Sequence, residues 1–191
     1  MWVGTTGGVR VIATLRRIVR GAVSRFRGER IHPEKPPLTV VDAAGREVAV
    51  RPYHEADFDG LVEMYDTFDP EQRAQGTPPI GVDAIRDWLP DLLEGVNVVA
   101  RHEDRVVGHV SFVPDGTGRH ELAIFVHQEY QGAGIGSRLM AAGLGHARAE
   151  GVGYVWLSVE AWKRDIQRFY GRAGFSVINA MGPAHRMSRT L

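Results

Sequence analysis

The chain has 191 residues, of which 43% are hydrophobic and 24% are charged, and its formal net charge at pH 7 is zero. This composition is that of a globular protein with one domain, or one domain and an appendage. The chain contains no cysteine, which excludes a disulfide framework, a thiolate metal site and a cysteine nucleophile, and a cytoplasmic location fits this.

The first part of the chain is a basic arm. Residues 1–37 carry eight Lys or Arg and two acidic residues, a net charge of +6, whereas residues 38–191 carry −6. Apolar side chains recur at helical spacing over 9–27, with arginines opposite, which predicts a basic amphipathic helix. The next segment, "HPEKPP", predicts an extended linker. We therefore expect an arm over 1–37 and a domain over 38–191.

The apolar stripe of the predicted arm helix needs a partner. Packing on the same chain or in a homodimer is favoured, because the arm and the body have opposite charges. An apolar face beside an arginine face is also typical of helices that lie on membranes. Nucleic acid is not expected, because few aromatic residues accompany the arginines. No stretch is apolar for the roughly 18 residues of a spanning helix, and arginines interrupt the region where a signal peptide is apolar.

The segment after the linker alternates between short strands and helices. Residues 38–50 predict two strands around a turn with Asp and Gly, and 54–68 predict an amphipathic helix. Residues 82–95 predict a second helix, with Asp83 as its cap. Pro90 is expected to kink or split this second helix, because proline lacks the N–H that a helix interior uses.

From Val96 onward the apolar pattern changes to that of strands. The prediction is three strands, a helix, a strand, a helix and two strands, over 97–102, 105–113, 120–126, 135–150, 154–159, 165–173, 175–180 and 185–191. The last strand is expected at an edge of the sheet. This order predicts a mixed α/β (α+β) fold with one central sheet flanked by helices.

A glycine-rich loop, "QGAGIG" (Gln131–Gly136), lies between the strand over 120–126 and the helix that follows. Glycines at such a point let backbone N–H groups approach an anion, and the helix N-terminus adds its dipole. No lysine follows these glycines as a P-loop requires, and the spacing is one residue short of a dinucleotide fingerprint. The loop therefore predicts a phosphate or pyrophosphate site, with a tight turn that binds nothing as the alternative.

Two blocks of the chain resemble the GNAT superfamily of acyl-CoA N-acyltransferases. The loop matches the pattern Q/R-x-x-G-x-G/A, and "WLSVEAWKRDIQRFYGRAGF" (Trp156–Phe175) resembles the family's strand, polar turn and short helix ending in F-Y-x-x-x-G-F. The resemblance covers residues 48–191. It implies a GNAT-like central mixed sheet and acetyl-CoA as the co-substrate.

The resemblance also implies which residues bind acetyl-CoA. They are the loop residues, the strand backbone before them and one lysine: Gln131, Gly132, Ala133, Gly134, Ile135 and Gly136; Ile124, Phe125 and Val126; and Lys163. Ala133 stands where the family often has a basic residue. Lys163 stands where the family usually has asparagine, so it is a candidate partner for a CoA phosphate or else a solvated surface lysine.

Two catalytic residues follow from the resemblance. Tyr170 matches the tyrosine that protonates the leaving thiolate in many family members, and a packing role is its alternative. Glu121 is the candidate general base, with His120 as the alternative, because acidic residues near the start of this strand serve as base in several branches. The two side chains point to opposite faces of a strand, and a bulge would select either. No histidine pair has metal-ligand spacing, so no metal site is predicted.

The predicted function is transfer of an acetyl group from acetyl-CoA to a primary amine of a small molecule or a protein. The family builds the acceptor site mainly from the first two helices and the loop between them, here 65–88. One alternative is a module that binds acyl-CoA without catalysis. Another is a nucleotide-binding redox domain, because Glu160 lies at the end of the next strand, where a ribose-binding acid would be.

Overall fold

The computed structural model describes residues 28–73 and 77–191. The basic helix predicted over 9–27 lies outside the described residues. The strands are β1 Leu38–Val41, β2 Glu47–Pro52, β3 Val96–His102, β4 Arg105–Pro114, β5 His120–Val126, β6 Tyr154–Glu160, β7 Ser176–Asn179 and β8 Ala184–Thr190. The helices are α1 Phe58–Asp66, α2 Val82–Leu93, α3 Ile135–Ala149 and α4 Arg164–Arg172.

All eight strands form one sheet in the order β1-β2-β3-β4-β5-β6-β8-β7. The neighbours are antiparallel except β5 and β6, which are parallel. A parallel pair needs a crossover connection, and here the glycine-rich loop and α3 supply it. The prediction of a mixed sheet flanked by helices is confirmed.

The sheet opens between β5 and β6. These strands pair only at His120 with Val155 and at Glu121 with Trp156, and β6 pairs with β8 along its whole length. Beyond Glu121 the β6 side of β5 therefore has no strand partner within the described residues. Backbone groups there must bond to side chains, water or a ligand. Ile124 and Val126, on this free edge of β5, line the cleft described below.

Strand β5 separates two apolar clusters. Leu122, Ile124 and Val126 face the cluster that includes the buried residues of α3, whereas Ala123 and Phe125 face the cluster of α1 and α2. This division follows from the alternation of side chains along a strand. Each of these β5 side chains therefore lies on a defined side of the sheet.

Helix α2 is not split at Pro90. Of the two outcomes expected from the sequence, the split is therefore wrong, and the kink stays a prediction. The helix runs from Val82 to Leu93 with Pro90 inside it, and Gly81, not Asp83, is the N-cap residue. Pro90 is exposed, while Ile85 and Leu89 are fully buried. Burial of the apolar face outweighs the missing backbone hydrogen bond on the solvent side.

The final strand is not at an edge, which corrects a second expectation. Strand β8 lies between β6 and β7, so that β7 forms the edge of the sheet. Met187 of β8 is buried, with Leu157 of β6 and Val177 of β7 as its cross-strand neighbours. Local sequence does not distinguish these orders, because both β7 and β8 are short and antiparallel to their partners.

The end of the arm and the start of the predicted linker contact the domain. The Ile31 side chain is buried in the cluster with α3, and its N–H donates to the carbonyl of Arg172 at 2.9 Å. The Glu34 N–H donates to the carbonyl of Ala141 at 2.9 Å, and a side chain at Gly145 would collide with the Glu34 backbone. Residues 31–34 are thus attached to α3 and α4, while the boundary after residue 37 stays a prediction.

A buried carboxylate joins β2 and β3 to the start of α1. Asp57 is 1% exposed and accepts hydrogen bonds from the Arg51 and Arg101 guanidinium groups and from the His54 N–H. Burial by itself would raise the pKa of Asp57, but these bonds, those of Arg51 foremost, lower it to about 2. The native state therefore holds the ionised form more tightly than the unfolded chain does.

Asp57→Asn is expected to destabilise the fold by about 3 kcal/mol at pH 7, because both arginines lose a buried partner. The pKa is depressed on folding, so this stabilisation is present above pH ~4 and is lost as the pH falls toward ~2. Urea unfolding of both proteins across this range measures the difference, which should narrow with acidification. Asp59→Asn removes an exposed ion pair with Arg86 and should cost below about 1 kcal/mol. Equal stability of the Asp57 and Asp59 variants at pH 7 would contradict this account.

Candidate active site

The glycine-rich loop presents backbone N–H groups at the start of α3. Gly132 and Gly134 have positive φ values of 72° and 94°, and Gly134 is the N-cap residue of α3. The Ser137 N–H donates to the Gly134 carbonyl at 3.1 Å as the helix begins. The N–H groups just before Ser137 have no partner in the helix, and the helix dipole adds positive potential there. This arrangement is suited to an anion such as a pyrophosphate.

A cleft of about 1070 Å³ lies against this loop. It reaches from the segment before β1, along the β1–β2 hairpin, to the free edge of β5 and to α4. The lining residues are Glu34, Pro37–Ala43, Gly45, Ile124, Val126, Gln131–Arg138, Ile166, Phe169 and Arg172. Its volume is at the upper end of the range for sites that bind cofactors. The cleft can thus hold a large, elongated ligand with its anionic part at the loop.

The β1–β2 hairpin fixes the far side of the loop. The Ala43 N–H donates to the Ala133 carbonyl at 3.0 Å. Within the turn, the buried carboxylate of Asp42 pairs with Arg46 at 2.7 Å. The guanidinium of Arg46 lies 4.0 Å above the ring of Tyr130, next to the loop. These contacts hold the loop from a strand that is distant in sequence.

Most of the predicted acetyl-CoA residues meet at this cleft. Ile124, Val126 and all six loop residues line it. The Gln131 amide donates to the Val126 carbonyl at 2.8 Å and to Gln72 at 2.6 Å, which ties the loop to the end of β5. The structure thus brings the strand edge and the loop together on one side of the sheet.

Two predicted residues lie elsewhere. Phe125 packs on the opposite face of β5, with ring centroids 5.3 Å from Tyr65 and 6.4 Å from Trp88; the prediction concerned its backbone only. Lys163 does not line the cleft, and its ammonium pairs with Glu160 at 3.1 Å. A role for Lys163 toward a phosphate stays a prediction.

Glu121 lies on the opposite side of the sheet from the loop. Strand alternation places it on the face of Ala123 and Phe125. Its side chain is exposed over part of its surface, and desolvation by the surrounding protein raises the pKa of its carboxyl. The positive charge of Arg186 opposes this shift, and the negative charge of Asp115 adds to it. A raised pKa favours a carboxylate that exchanges protons nearer neutral pH.

His120, the alternative base, points the other way. The β4–β5 pairing runs in continuous register from Gly108 and Val126 to Pro114 and His120, so the bulge considered from the sequence is not present. His120 therefore shares the face of Leu122, and its Nδ1 atom is buried without a hydrogen-bond partner. Glu121 and His120 cannot exchange roles through a simple shift of register.

Tyr170 lies in α4 within an aromatic group. Its ring centroid is 5.4 Å from that of Phe169, which lines the cleft, and 5.8 Å from that of Phe175. Desolvation raises the pKa of Tyr170 well above its usual value, and the charge of Glu160 raises it further. The phenol is therefore protonated at neutral pH and can serve only as a proton donor from its resting state.

Comparison with known proteins identifies the family. The model of the acetyltransferase (GNAT) family matches residues 59–175. The chain belongs to this family. The match spans α1 through Phe175, so it includes the opening of the sheet, the glycine-rich loop and α4, and the resemblance seen in the sequence is confirmed.

Curated relatives of this GNAT chain include mycothiol acetyltransferases. The protein from Actinosynnema mirum is 30% identical over 149 residues, which are 75% of this chain and 48% of that protein. The protein from Propionibacterium freudenreichii is 32% identical over 114 residues, 58% of this chain and 36% of that protein. The chain thus spans about a third to a half of the length of these relatives.

Solved structures share the fold of this GNAT chain. The GNAT domain of S. lividans PAT superposes with a TM-score of 0.68 at 21% identity, over 83% of this chain and 100% of that one. The structure of yncA from Salmonella typhimurium with its cofactor acetyl-CoA gives a TM-score of 0.56 at 22% identity, over 75% of this chain and 94% of that one. At these identities the likeness is one of fold.

The GNAT motifs did not reveal one wall of the cleft. Glu34, Pro37 and the hairpin residues from Leu38 to Gly45 line it, and Ile166 and Phe169 of α4 complete it. The apolar spacing of α4 could have indicated its two residues, whereas no local signal marks the hairpin as part of a site.

Within the two described ranges, no helix is long and apolar enough to cross a membrane, and no His, Asp and Glu side chains cluster as metal ligands.

Proposed function

We propose that this GNAT chain transfers the acetyl group of acetyl-CoA to a primary amine. The observation that carries the proposal is the cleft that Ile124 and Val126 line on the free edge of β5, with the glycine-rich loop and the start of α3 at one end. Acetyl-CoA joins a pyrophosphate to a long arm that ends in a thioester. The N–H groups of the loop would bind the pyrophosphate, and the arm would lie along the free edge of β5.

The proposed reaction is a direct attack. The amine nitrogen bonds to the carbonyl carbon of the thioester while Glu121 takes its proton, and the carbon–sulfur bond then breaks. The thiolate of CoA takes a proton from Tyr170. The products are an N-acetylated amine and CoA, and exchange of protons with water restores both side chains. A backbone N–H near Ile124 to Val126 would stabilise the negative oxygen of the intermediate.

Glu121 and the cleft lie on different sides of β5, which supports separate entry of the two substrates. The cleft side holds Ile124 and Val126, and Glu121 lies on the other side, with Ala123 and Phe125, which pack in the cluster of α1 and α2. An amine that approached from the second side would meet the thioester at the opening of the sheet. An acetyl-CoA-dependent enzyme of this kind would work in the cytoplasm.

Thermal unfolding with and without acetyl-CoA tests the binding step. A ligand at 100 times its dissociation constant adds about 2.7 kcal/mol of stability, and nicotinamide dinucleotides serve as the comparison. Release of the CoA thiol in the presence of an amine panel then tests turnover. Because the curated relatives are named mycothiol acetyltransferases, amines related to mycothiol belong in that panel. Binding without turnover of any amine would favour a module that only binds acyl-CoA.

Tyr170→Phe is expected to lower kcat by about 10²-fold, the usual worth of a positioned acid, with little change in acetyl-CoA affinity. The hydroxyl acts on the leaving group, and the ring would still pack against Phe169 and Phe175. Single-turnover thiol release and isothermal titration measure the two quantities. Tyr53→Phe is the matched control, because Tyr53 packs in the cluster with α1 and α2. A Tyr170 variant with the wild-type rate would leave this tyrosine a packing residue only.

A further inference from the structure

Strands β6 and β8 carry half-buried and exposed side chains on the face that Glu121 shares. On β6, Val155, Leu157 and Val159 are buried under the helical side, whereas Trp156 and Ser158 lie on the other face and are half-buried or exposed. Arg186 of β8 pairs in register with Ser158, so it shares this face. Trp156 is in turn the register partner of Glu121.

Two arginines on this face are stacked on aromatic rings. The guanidinium of Arg186 lies 3.8 Å from the ring centroid of Trp156, and that of Arg119 lies 5.0 Å from that of Tyr154. The Trp156 indole N–H donates to the Asp115 carboxylate at 2.9 Å, which fixes the ring under Arg186. With Ile178, these side chains line a recess of about 40 Å³. The side chains that form the recess are therefore fixed in position by one another.

The charges of this recess favour an anion. Among the side chains that line the recess, Arg119 and Arg186 outnumber Asp115, whose carboxylate is occupied by Trp156 and by the N–H and hydroxyl of Thr117. Glu121 is not among them, although its charge interacts with that of Arg186. The salt bridges found for arginines of the described residues include neither Arg119 nor Arg186. A guanidinium stacked by its face still directs its N–H edge outward, where it can bind a carboxylate with two hydrogen bonds.

We infer that this recess, formed by Asp115, Arg119, Tyr154, Trp156, Ile178 and Arg186, binds the carboxylate of the amine acceptor. The inference rests on the proposed function and names the substrate class: amines that also carry a free carboxylate, such as amino acids. The recess has about the volume of one or two water molecules, which suits a carboxylate group. Trp156 joins the recess to Glu121, so one acceptor could place its carboxylate at Arg186 and its amine at the proposed base.

Matched acceptors test this inference directly. Glycine, β-alanine and longer ω-amino acids are each compared with their own amides, which have the same amine and no negative charge. For at least one chain length, the acid should be acetylated with a kcat/KM at least about tenfold above that of its amide. Equal use of acids and amides at every length would overturn the inference and leave the proposed function intact.

Variants of Arg186 test whether the preference for acids over amides arises at the recess. Arg186→Gln should raise KM for the preferred acid by about ten- to a hundredfold, the worth of hydrogen bonds to a charged group, and leave KM for the amide unchanged. Arg186→Lys should restore part of the affinity. Arg168→Gln, at an exposed ion pair on α4, is the control and should behave as wild type. Because the Arg186 charge also lowers the pKa of Glu121, rates are compared on the pH plateau.

Equilibrium binding distinguishes a failure of the carboxylate site from a failure of the proposed function. The affinity of the preferred acid for the protein loaded with CoA is measured by titration, without any turnover. Binding that Arg186→Gln weakens, in a protein that acetylates no amine, would contradict the proposed function and support the carboxylate site. Binding that is equal for acid and amide, or equal in wild type and the Arg186 variant, would overturn the carboxylate site.

Discussion

Replacing Glu121 by glutamine is expected to lower turnover by about 10²-fold, the usual contribution of a general base. The wild-type rate should rise with pH as the carboxyl loses its proton, and desolvation places this rise above the usual pKa of glutamate. The glutamine side chain cannot accept the proton, so the rate of this variant should not change with pH on the acidic side of the pH–rate profile. A hydrazide acceptor is suitable for the measurement, because its nitrogen is uncharged across this pH range and adds no limb of its own.

His120→Gln is the matched control for this experiment. His120 is the neighbouring residue but faces the opposite side of β5, with Leu122. The His120→Gln variant should keep a rate close to that of wild type and the same pH profile. A fully active Glu121 variant would remove Glu121 as the base, and a large loss in the His120 variant alone would assign that role to the histidine.

Gly136→Glu is expected to weaken acetyl-CoA binding by about 10²-fold or more, because like charges about 4 Å apart near a protein surface repel by up to about 4 kcal/mol. Gly136 lines the cleft in the first turn of α3. Its φ is not positive, and an added Cβ would lie 3.7 Å from Val126, which is an ordinary contact. A carboxylate at a helix N-terminus is itself favourable, so the fold should be unaffected.

Gly136→Gln and Gly136→Ala separate charge from size in this test. Glutamine has nearly the volume of glutamate without its charge, and alanine adds only the Cβ. Isothermal titration should give a much larger loss for glutamate than for glutamine, and the smallest loss for alanine. Gly134 is a poorer position, because its φ of 94° would strain any side chain whether or not a ligand binds. Equal affinity of the glutamate and glutamine variants would contradict a pyrophosphate at this loop.

The fold and the glycine-rich loop could be predicted from the sequence because their signals are local. The change from helical to strand spacing near Val96 can be recognised from neighbouring residues alone. The same holds for the turn that the glycines at 132, 134 and 136 indicate. The expected split of α2 at Pro90 was wrong. There the propensity of one residue competes with burial of Ile85 and Leu89, and only the packed structure gives the balance between them.

Long-range geometry decided the rest of the site. The β1–β2 hairpin and Glu34 form a wall of the cleft because the hairpin bonds to Ala133 and the segment from Ile31 packs on α3. The order of β7 and β8 places Arg186 beside β6, where its guanidinium covers Trp156. None of these contacts has a local pattern, since each joins residues far apart in sequence.

The sequence by itself determined the class of fold, the loop that can receive an anion and the family of the chain. The class of fold and the loop depend on apolar spacing and backbone preference, which a short stretch of chain carries with it. The family followed from the resemblance of two motif blocks to GNAT proteins. Only the tertiary structure decided that β5 and β6 part after Glu121, and that Glu121 and the loop lie on opposite sides of β5. Those features arise from how strands pair and which helices cover each face, and pairing energy is shared among distant residues.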